Sequence, residues 1–223
     1  MYPLFYFFVS IVWLLLFHRF RPTITYRDLF TTFAAGFAAA PLAGLISYAM
    51  TEMFISKVQK FELNDFLLYF VIVGPIEEFL KFLAVLATTL KKRHINTSID
   101  GILLAISGAL GFACIENVLY LYAFGLEPTL LRLILGNLGH ASYAIFWGYA
   151  LAVVINENGP PSLLITGLAI GSILHGGYNY LLSLGHQGPG GLIGPILALA
   201  LSLLGFFLLF QSIKIEKKRH SSS

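Results

Sequence analysis

The sequence predicts an all-α protein, a polytopic bundle of about seven transmembrane helices. Three observations predict it. Charged residues make up 11% of the chain and apolar ones 57%, whereas a soluble domain carries roughly 25% charged residues to cover its surface. The 25 charges (14 Lys plus Arg, 11 Asp plus Glu) also avoid seven stretches that together hold 156 of the 223 residues. Only Glu77, Glu78, Lys81 and Glu116 fall inside them, where an even spread would put about 17. Six of the seven stretches are 22 to 25 residues long, and about 20 residues at 1.5 Å each cross a hydrocarbon layer of roughly 30 Å. Barrel strands would alternate with period two, and the chain shows no such pattern.

Taken in order, the first stretch, Tyr2–Phe17, is short. It lacks a basic leader and a small-residue cleavage site, so it reads as a helix that stays rather than a signal peptide. The second, Leu29–Thr51, is followed by Glu52 to Asp65, where Phe54, Ile55, Val58 and Phe61 recur at helical spacing. That segment reads either as an amphipathic stretch on the membrane interface or as a polar loop. The third, Phe66–Leu90, is interrupted by Gly74-Pro75, and proline both disrupts a helix interior and favours a first turn. Gly101–Phe124, Leu133–Ile155, Ser162–Leu184 and Gly191–Ser212 complete the set, joined by turn-rich links such as Asn156–Pro161 and Gly185–Gly190. The expectation is a single integral membrane domain over residues 1–223, with its catalytic core at 66–184.

Ten of the fourteen basic residues lie in three segments that an odd helix count puts on one side: Arg19, Arg21 and Arg27; Lys91, Lys92 and Arg93; Lys214, Lys217, Lys218 and Arg219. The opposite side receives Lys57, Lys60 and Arg132. The positive-inside rule then puts the N-terminus outside and the C-terminus in the cytoplasm. Short juxtamembrane runs without interleaved aromatics do not describe a nucleic-acid surface. The single Cys114 excludes an internal disulfide.

An ionisable group in lipid faces the bundle interior or a water-filled cavity. Small residues support that orientation here. Gly101, Ala105, Ala109, Ala113 and Asn117 recur at four-residue steps beside Glu116; Gly136, His140, Ala144, Gly148 and Ala152 repeat the step; Gly167, Gly171, His175 and Asn179 do so again. Such ridges let helix backbones approach closely, so both histidines belong to packing faces. Counting at 1.5 Å per residue from the outer ends puts Glu77, Glu78, Glu116, His140, His175 and Asn179 roughly 8 to 18 Å deep. Four helices therefore converge on one slab.

In that slab Lys81 follows Glu77 by four residues and Glu78 by three, so it can neutralise one of them along the helix face. The pair is expected to divide, with one carboxylate paired and structural and the other free to act as a general base. Glu116 with Asn117 adds a third acid and an amide; Asn179, four residues after His175, can hold its ring. A carboxylate base with imidazoles and water suits amide hydrolysis. No serine or cysteine nucleophile sits beside a histidine, and no His-Glu-x-x-His helix is present. No cofactor is required, but Glu116, His140 and His175 form a candidate zinc set that would leave Glu77 or Glu78 as base. The same buried acids also suit a proton- or cation-coupled transporter, and the two histidines suit axial haem ligation.

EEFLK (Glu77 to Lys81), FACIEN (Phe112 to Asn117), an isolated His140 and HGGYN (His175 to Asn179) resemble the Glu-Glu-x-x-Lys, Phe-x-x-x-Glu, His and His-x-x-x-Asn/Asp pattern of the PrsW intramembrane proteases. That family lies within the wider CAAX prenyl protease and bacteriocin-processing superfamily. The resemblance covers about half the chain and implies a multi-pass protease of the bacterial cell membrane. Its implied partner is a single-span membrane protein such as an anti-sigma factor, first cut at the extracytoplasmic side. By that likeness Glu77 and Glu78 activate water, Glu116, His140 and His175 complete the site, and Lys81, Asn117 and Asn179 support it. Prenyl proteases usually carry Arg near the Lys81 position and His at the Glu116 position, which argues against a prenylated substrate.

Overall fold

The computed structural model describes residues 2–20, 24–55, 61–89, 95–185 and 193–221, and every regular element among them is helical. These are α1 (Tyr2–His18), α2 (Tyr26–Met50, extended by a π turn at Thr51–Ile55), α3 (Phe61–Phe66), α4 (Gly74–Thr89), α5 (Ser98–Phe124), α6 (Leu126–Asn156), α7 (Ser162–Gly185) and α8 (Ile193–Ser221). A π segment, Leu67–Val73, joins α3 to α4 without a break. The described residues thus form seven helical rods, as the charge pattern predicts.

Four of them are long and apolar enough to cross a membrane: Tyr26–Ile55, Ser98–Ala123, Arg132–Asn156 and Gly194–Ile215. The chain is a multi-pass membrane protein. Pro3–His18 is apolar but shorter; the α3–α4 rod and α7 are the ones that carry Glu77, Glu78, Lys81, His175 and Asn179. Burial ranks the rods. The apolar windows of α5 and α6 are 78% and 67% buried, those of α2 and α8 33% and 28%, so α5 and α6 form the centre and α2 and α8 turn most of their surface outward.

The small-residue ridges make that centre possible. A Cβ placed on Gly101 would lie 2.5 Å from the Gly148 carbonyl, and one on Gly148 would lie 2.5 Å from the Ala105 Cβ, so the ridges of α5 and α6 interlock. On α7, a Cβ on Gly167 would lie 2.8 Å from the Phe146 carbonyl of α6. Backbone contact at this range is what small residues at four-residue steps provide.

Two buried acids outside the site, Asp28 and Asp100, lie in helix caps. Thr25 accepts from the Asp28 backbone N–H at the start of α2, and Thr97 with Asp100 makes a reciprocal capping box on α5. Both satisfy first-turn N–H groups that would otherwise face apolar surroundings.

Three expectations change in detail. The loop expected between Phe124 and Leu133 is the start of α6. Gly125 (φ +83°) supports the reversal alone, and the helix begins at Leu126. Arg132 therefore sits in the second turn of α6, buried, rather than in a loop. The restart expected at Gly74-Pro75 takes the form of the π segment, in which the Gly74 N–H donates to the Tyr69 carbonyl five residues back. Widening the turn there accommodates a proline that offers no N–H of its own. The interfacial stretch expected from Glu52 to Asp65 falls partly outside the described residues; its described ends are the π turn and α3.

Gly148→Leu is expected to lower the thermal unfolding midpoint in detergent, by about 1–3 kcal/mol of stability. Gly44→Ala on α2, where an added Cβ meets nothing within 4 Å, is expected to leave it equal or higher.

Candidate active site

The π segment and α4 approach α7 through glycine. A Cβ on Gly74 would lie 2.5 Å from the Ser172 carbonyl, and one on Gly176 would lie 2.6 Å from the Tyr69 carbonyl. This close approach brings the first turn of α4 opposite His175. Lys81, Glu78 and His175 are each at most 1% exposed.

Glu78 is fully engaged. Its Oε1 accepts from Lys81 Nζ at 2.8 Å and from His175 Nδ1 at 3.0 Å, and its Oε2 accepts from Trp147 Nε1 at 2.9 Å. A buried carboxylate is tolerable only when its oxygens are met in this way. Glu77 differs. Its Oε2 lies 3.6 Å from Lys81 Nζ and 3.6 Å from His175 Nε2 and has no hydrogen-bond partner. Of the two, Glu78 is the hydrogen-bonded member and Glu77 the one whose Oε2 has no hydrogen-bond partner.

The same contacts set the two imidazoles. Glu78 can only accept, so His175 Nδ1 carries its proton, and the neutral ring leaves Nε2 as an unpartnered acceptor facing Glu77. Lys81 can only donate, so His140 Nδ1, 2.8 Å from Nζ, accepts. His140 Nε2 then carries the proton, 2.7 Å from Glu116 Oε2, in a contact whose direction falls outside a regular hydrogen bond. Opposite tautomers therefore stand side by side, with ring centroids 5.0 Å apart. Tyr143 stacks on His175 at 5.4 Å, and Lys81 Nζ lies 4.4 Å from the centre of the Phe112 ring. The second oxygen of Glu116, Oε1, pairs with Arg132 Nη2.

The structure brings together Glu77, Glu78, Lys81, Glu116, His140 and His175. The two amides stand apart. Asn117 is buried on the α5–α6 contact, its Oδ1 3.4 Å from where a Gly136 Cβ would be, and its Nδ2 has no partner. Asn179 is buried, but Glu78 rather than Asn179 holds the His175 ring. Sequence reasoning missed Trp147, Tyr143 and Arg132. Arg132 stands one four-residue step before Gly136 on the His140 ridge, and Trp147 stands seven residues after His140 on the same face. Continuing the ridge backward reaches Arg132, while Tyr143 and Trp147 share the His140 face at three and seven residues beyond it.

Glu77, His140 and His175 each offer one ligand atom, and these atoms lie within 4.8 Å of one another. The carboxylate of this set is Glu77, where the sequence offered Glu116, whose Oε1 pairs with Arg132 while its Oε2 faces His140. Two histidines and a glutamate form a donor set that suits zinc, and Glu78 supplies the outer carboxylate that orients such a histidine. The unpartnered Glu77 Oε2 and His175 Nε2 fit a cation between them. His140 would exchange one of its two present contacts for the metal.

A family described as PrsW family intramembrane metalloprotease matches residues 25–211. The chain belongs to the PrsW family. The PrsW match encloses every residue of the cluster. Among curated relatives, the Protease PrsW of Shouchella clausii is 37% identical over 115 residues, covering 51% of this chain and 54% of its own length. That of Clostridioides difficile is 28% identical over 167 residues, covering 66% and 70%, and that of Bacillus subtilis is 32% identical over 122 residues, covering 54% and 56%. The chain spans little more than half the length of the first of these PrsW relatives. No solved structure matches the chain significantly.

The contrast between the two glutamates is measurable without substrate. Glu78→Ala removes the carboxylate closest to the Lys81 ammonium and the acceptor of His175 Nδ1 and Trp147 Nε1, and is expected to cost about 3–5 kcal/mol in unfolding assays. Glu77→Gln breaks no hydrogen bond and is expected to cost less than about 1 kcal/mol.

Proposed function

We propose that the protein is an intramembrane endopeptidase in which Glu77 activates the attacking water. The observation that carries this reading is the gap between Glu77 Oε2 and His175 Nε2, two unpartnered buried acceptors 3.6 Å apart. A water molecule has two donors to offer them. Glu77 takes one proton as the water oxygen bonds to the scissile carbonyl carbon, and His175 Nε2 orients the other. Glu77 then returns its proton to the amide nitrogen as the C–N bond breaks, so atoms and charge balance. Glu78, Lys81 and Trp147 hold His175 in the receptive tautomer throughout.

Zinc suits the same place. Glu77, His140 and His175 would hold it, and when bound it would supply an acidified water and a polarised carbonyl. With neutral histidines, three carboxylates face Lys81 and Arg132, an excess of one negative charge that favours a cation or a proton.

The substrate proposed is a single-span membrane protein such as an anti-sigma factor or a similar regulator, cut on its extracytoplasmic side. The basic-residue bias supports a site opening outward, with the N-terminus outside and the C-terminus cytoplasmic. Short connections between helices leave little surface for reading a soluble domain, which favours recognition through the target's own transmembrane helix.

The test is cleavage of a single-span substrate by the purified protein in liposomes. Glu77→Gln and His175→Ala are expected to lower the rate by about 10²–10⁴-fold while leaving the protein folded. Undiminished cleavage by Glu77→Gln would sink the proposal. Loss of activity with a strong chelator, restored by zinc, supports the metal-assisted version, and indifference to chelator the metal-free one. Exchanging the substrate's transmembrane segment for an unrelated one is expected to abolish cleavage.

A further inference from the structure

Arg132 is 8% exposed, on the α6 face that also carries His140 two four-residue steps away. Its Nη2 pairs with Glu116 Oε1, and its Cζ lies 3.6 Å from the Tyr120 ring centre. Gly136 leaves it room, since a Cβ there would come within 3.2 Å of the Arg132 Cγ. Tyr120, Arg132, Glu116 and His140 thus form an unbroken file that runs inward from the half-buried end of α5 to the buried second histidine. Among the described residues Arg132 makes no hydrogen bond or ion pair with Glu77 or either imidazole, so its direct link to the site is Glu116.

We propose that Arg132 is a positioning residue: by neutralising Glu116 and fixing its Oε1, it holds Oε2 against His140 Nε2 and so sets the orientation of a ring whose tautomer Lys81 fixes. A carboxylate buried in lipid with only an imidazole before it is poorly compensated. Glu116 retains a 13% exposed edge. Without the guanidinium, turning toward that edge is its cheapest relief, and His140 then loses its Nε2 contact while Lys81 still holds Nδ1. The two-step geometry of a bidentate-capable, cation–π-stacked guanidinium is one that lysine reproduces only in charge.

The kinetic arm of this inference rests on the peptidase reading; the other two arms do not. The full chain is compared in detergent micelles as wild type, Arg132→Met, Arg132→Lys, Glu116→Gln and the double variant Arg132→Met/Glu116→Gln. Arg132→Met is expected to lower kcat about 10–100-fold with KM little changed. Arg132→Lys recovers part of that loss. The double variant is expected to equal Glu116→Gln alone, because a neutral amide no longer needs the cation. Losses that multiply in the double variant would mean that Arg132 acts on substrate directly through its partnerless Nε, and would overturn the proposal, as would full kcat in Arg132→Met. In thermal unfolding, Arg132→Met lowers the midpoint and adding Glu116→Gln restores most of it; additive drops overturn the pairing. In ¹⁵N spectra of labelled histidine, His140 keeps the Nε2–H tautomer that Lys81 sets, and its Nε2–H resonance is expected to shift in Arg132→Met and to stay near the wild-type position in Arg132→Lys; an unchanged resonance in Arg132→Met contradicts the positioning role. If the wild type cleaves no peptide, the peptidase reading fails, while the melting cycle and the spectra still decide the role of Arg132. Should Arg132→Met not fold, Arg132→Lys and the double variant carry the comparison.

Discussion

Glu78 lies wholly out of water, and the half of the bundle that holds the site is arranged to make that tolerable. Its three donors come from three places: Lys81 one turn along α4, Trp147 on α6 and His175 on α7. A buried ionised carboxylate without such partners carries a penalty of several kcal/mol. The geometry must therefore be met by all three helices together, which is why glycines stand where α4 and its π segment meet α7 and where α7 meets α6. Packing of backbones and satisfaction of one charge are the same constraint seen from two sides.

Lys81 extends that constraint across the site. Its ammonium serves Glu78 and His140 at 2.8 Å each, so it fixes one imidazole as an acceptor while Glu78 fixes the other as a donor. The consequence is an asymmetric pair, with His175 offering a lone pair toward Glu77 and His140 offering a proton toward Glu116. Glu77 is left as the carboxylate whose Oε2 has no hydrogen-bond partner, its ion pair with Lys81 being the longer one at 3.6 Å. An acceptor kept free at such depth is costly in a purely structural element, and its freedom is what chemistry on water requires.

Much of this was legible in the chain. The charge-free stretches announce the helices, and the three ridges of small residues announce which faces meet, because both follow from periodicity. Arg132 was not legible in the same way. Reading spans as uncharged windows removes a charged residue from the helix by construction, and the reversal at Gly125 needs no loop to hold it. Asn179 shows the opposite case. Its spacing to His175 is right for a hydrogen bond, yet the ring turns to a carboxylate from another helix, since an ionised acceptor outbids an amide for an imidazole N–H.

By itself the sequence determined membrane residence, the number of helical rods, the likeness to the PrsW family and the six ionisable residues that meet at one depth. These depend on hydrophobicity and residue type summed along helices, which a single chain displays. Only the tertiary structure decided that Glu77 rather than Glu78 is free, that Glu78 orients His175, that Glu77 replaces Glu116 in the candidate metal set, and that Arg132 belongs inside. Those outcomes depend on which atoms come within about 3 Å of one another, and that is set by how closely and at what rotation the glycine-lined helices pack.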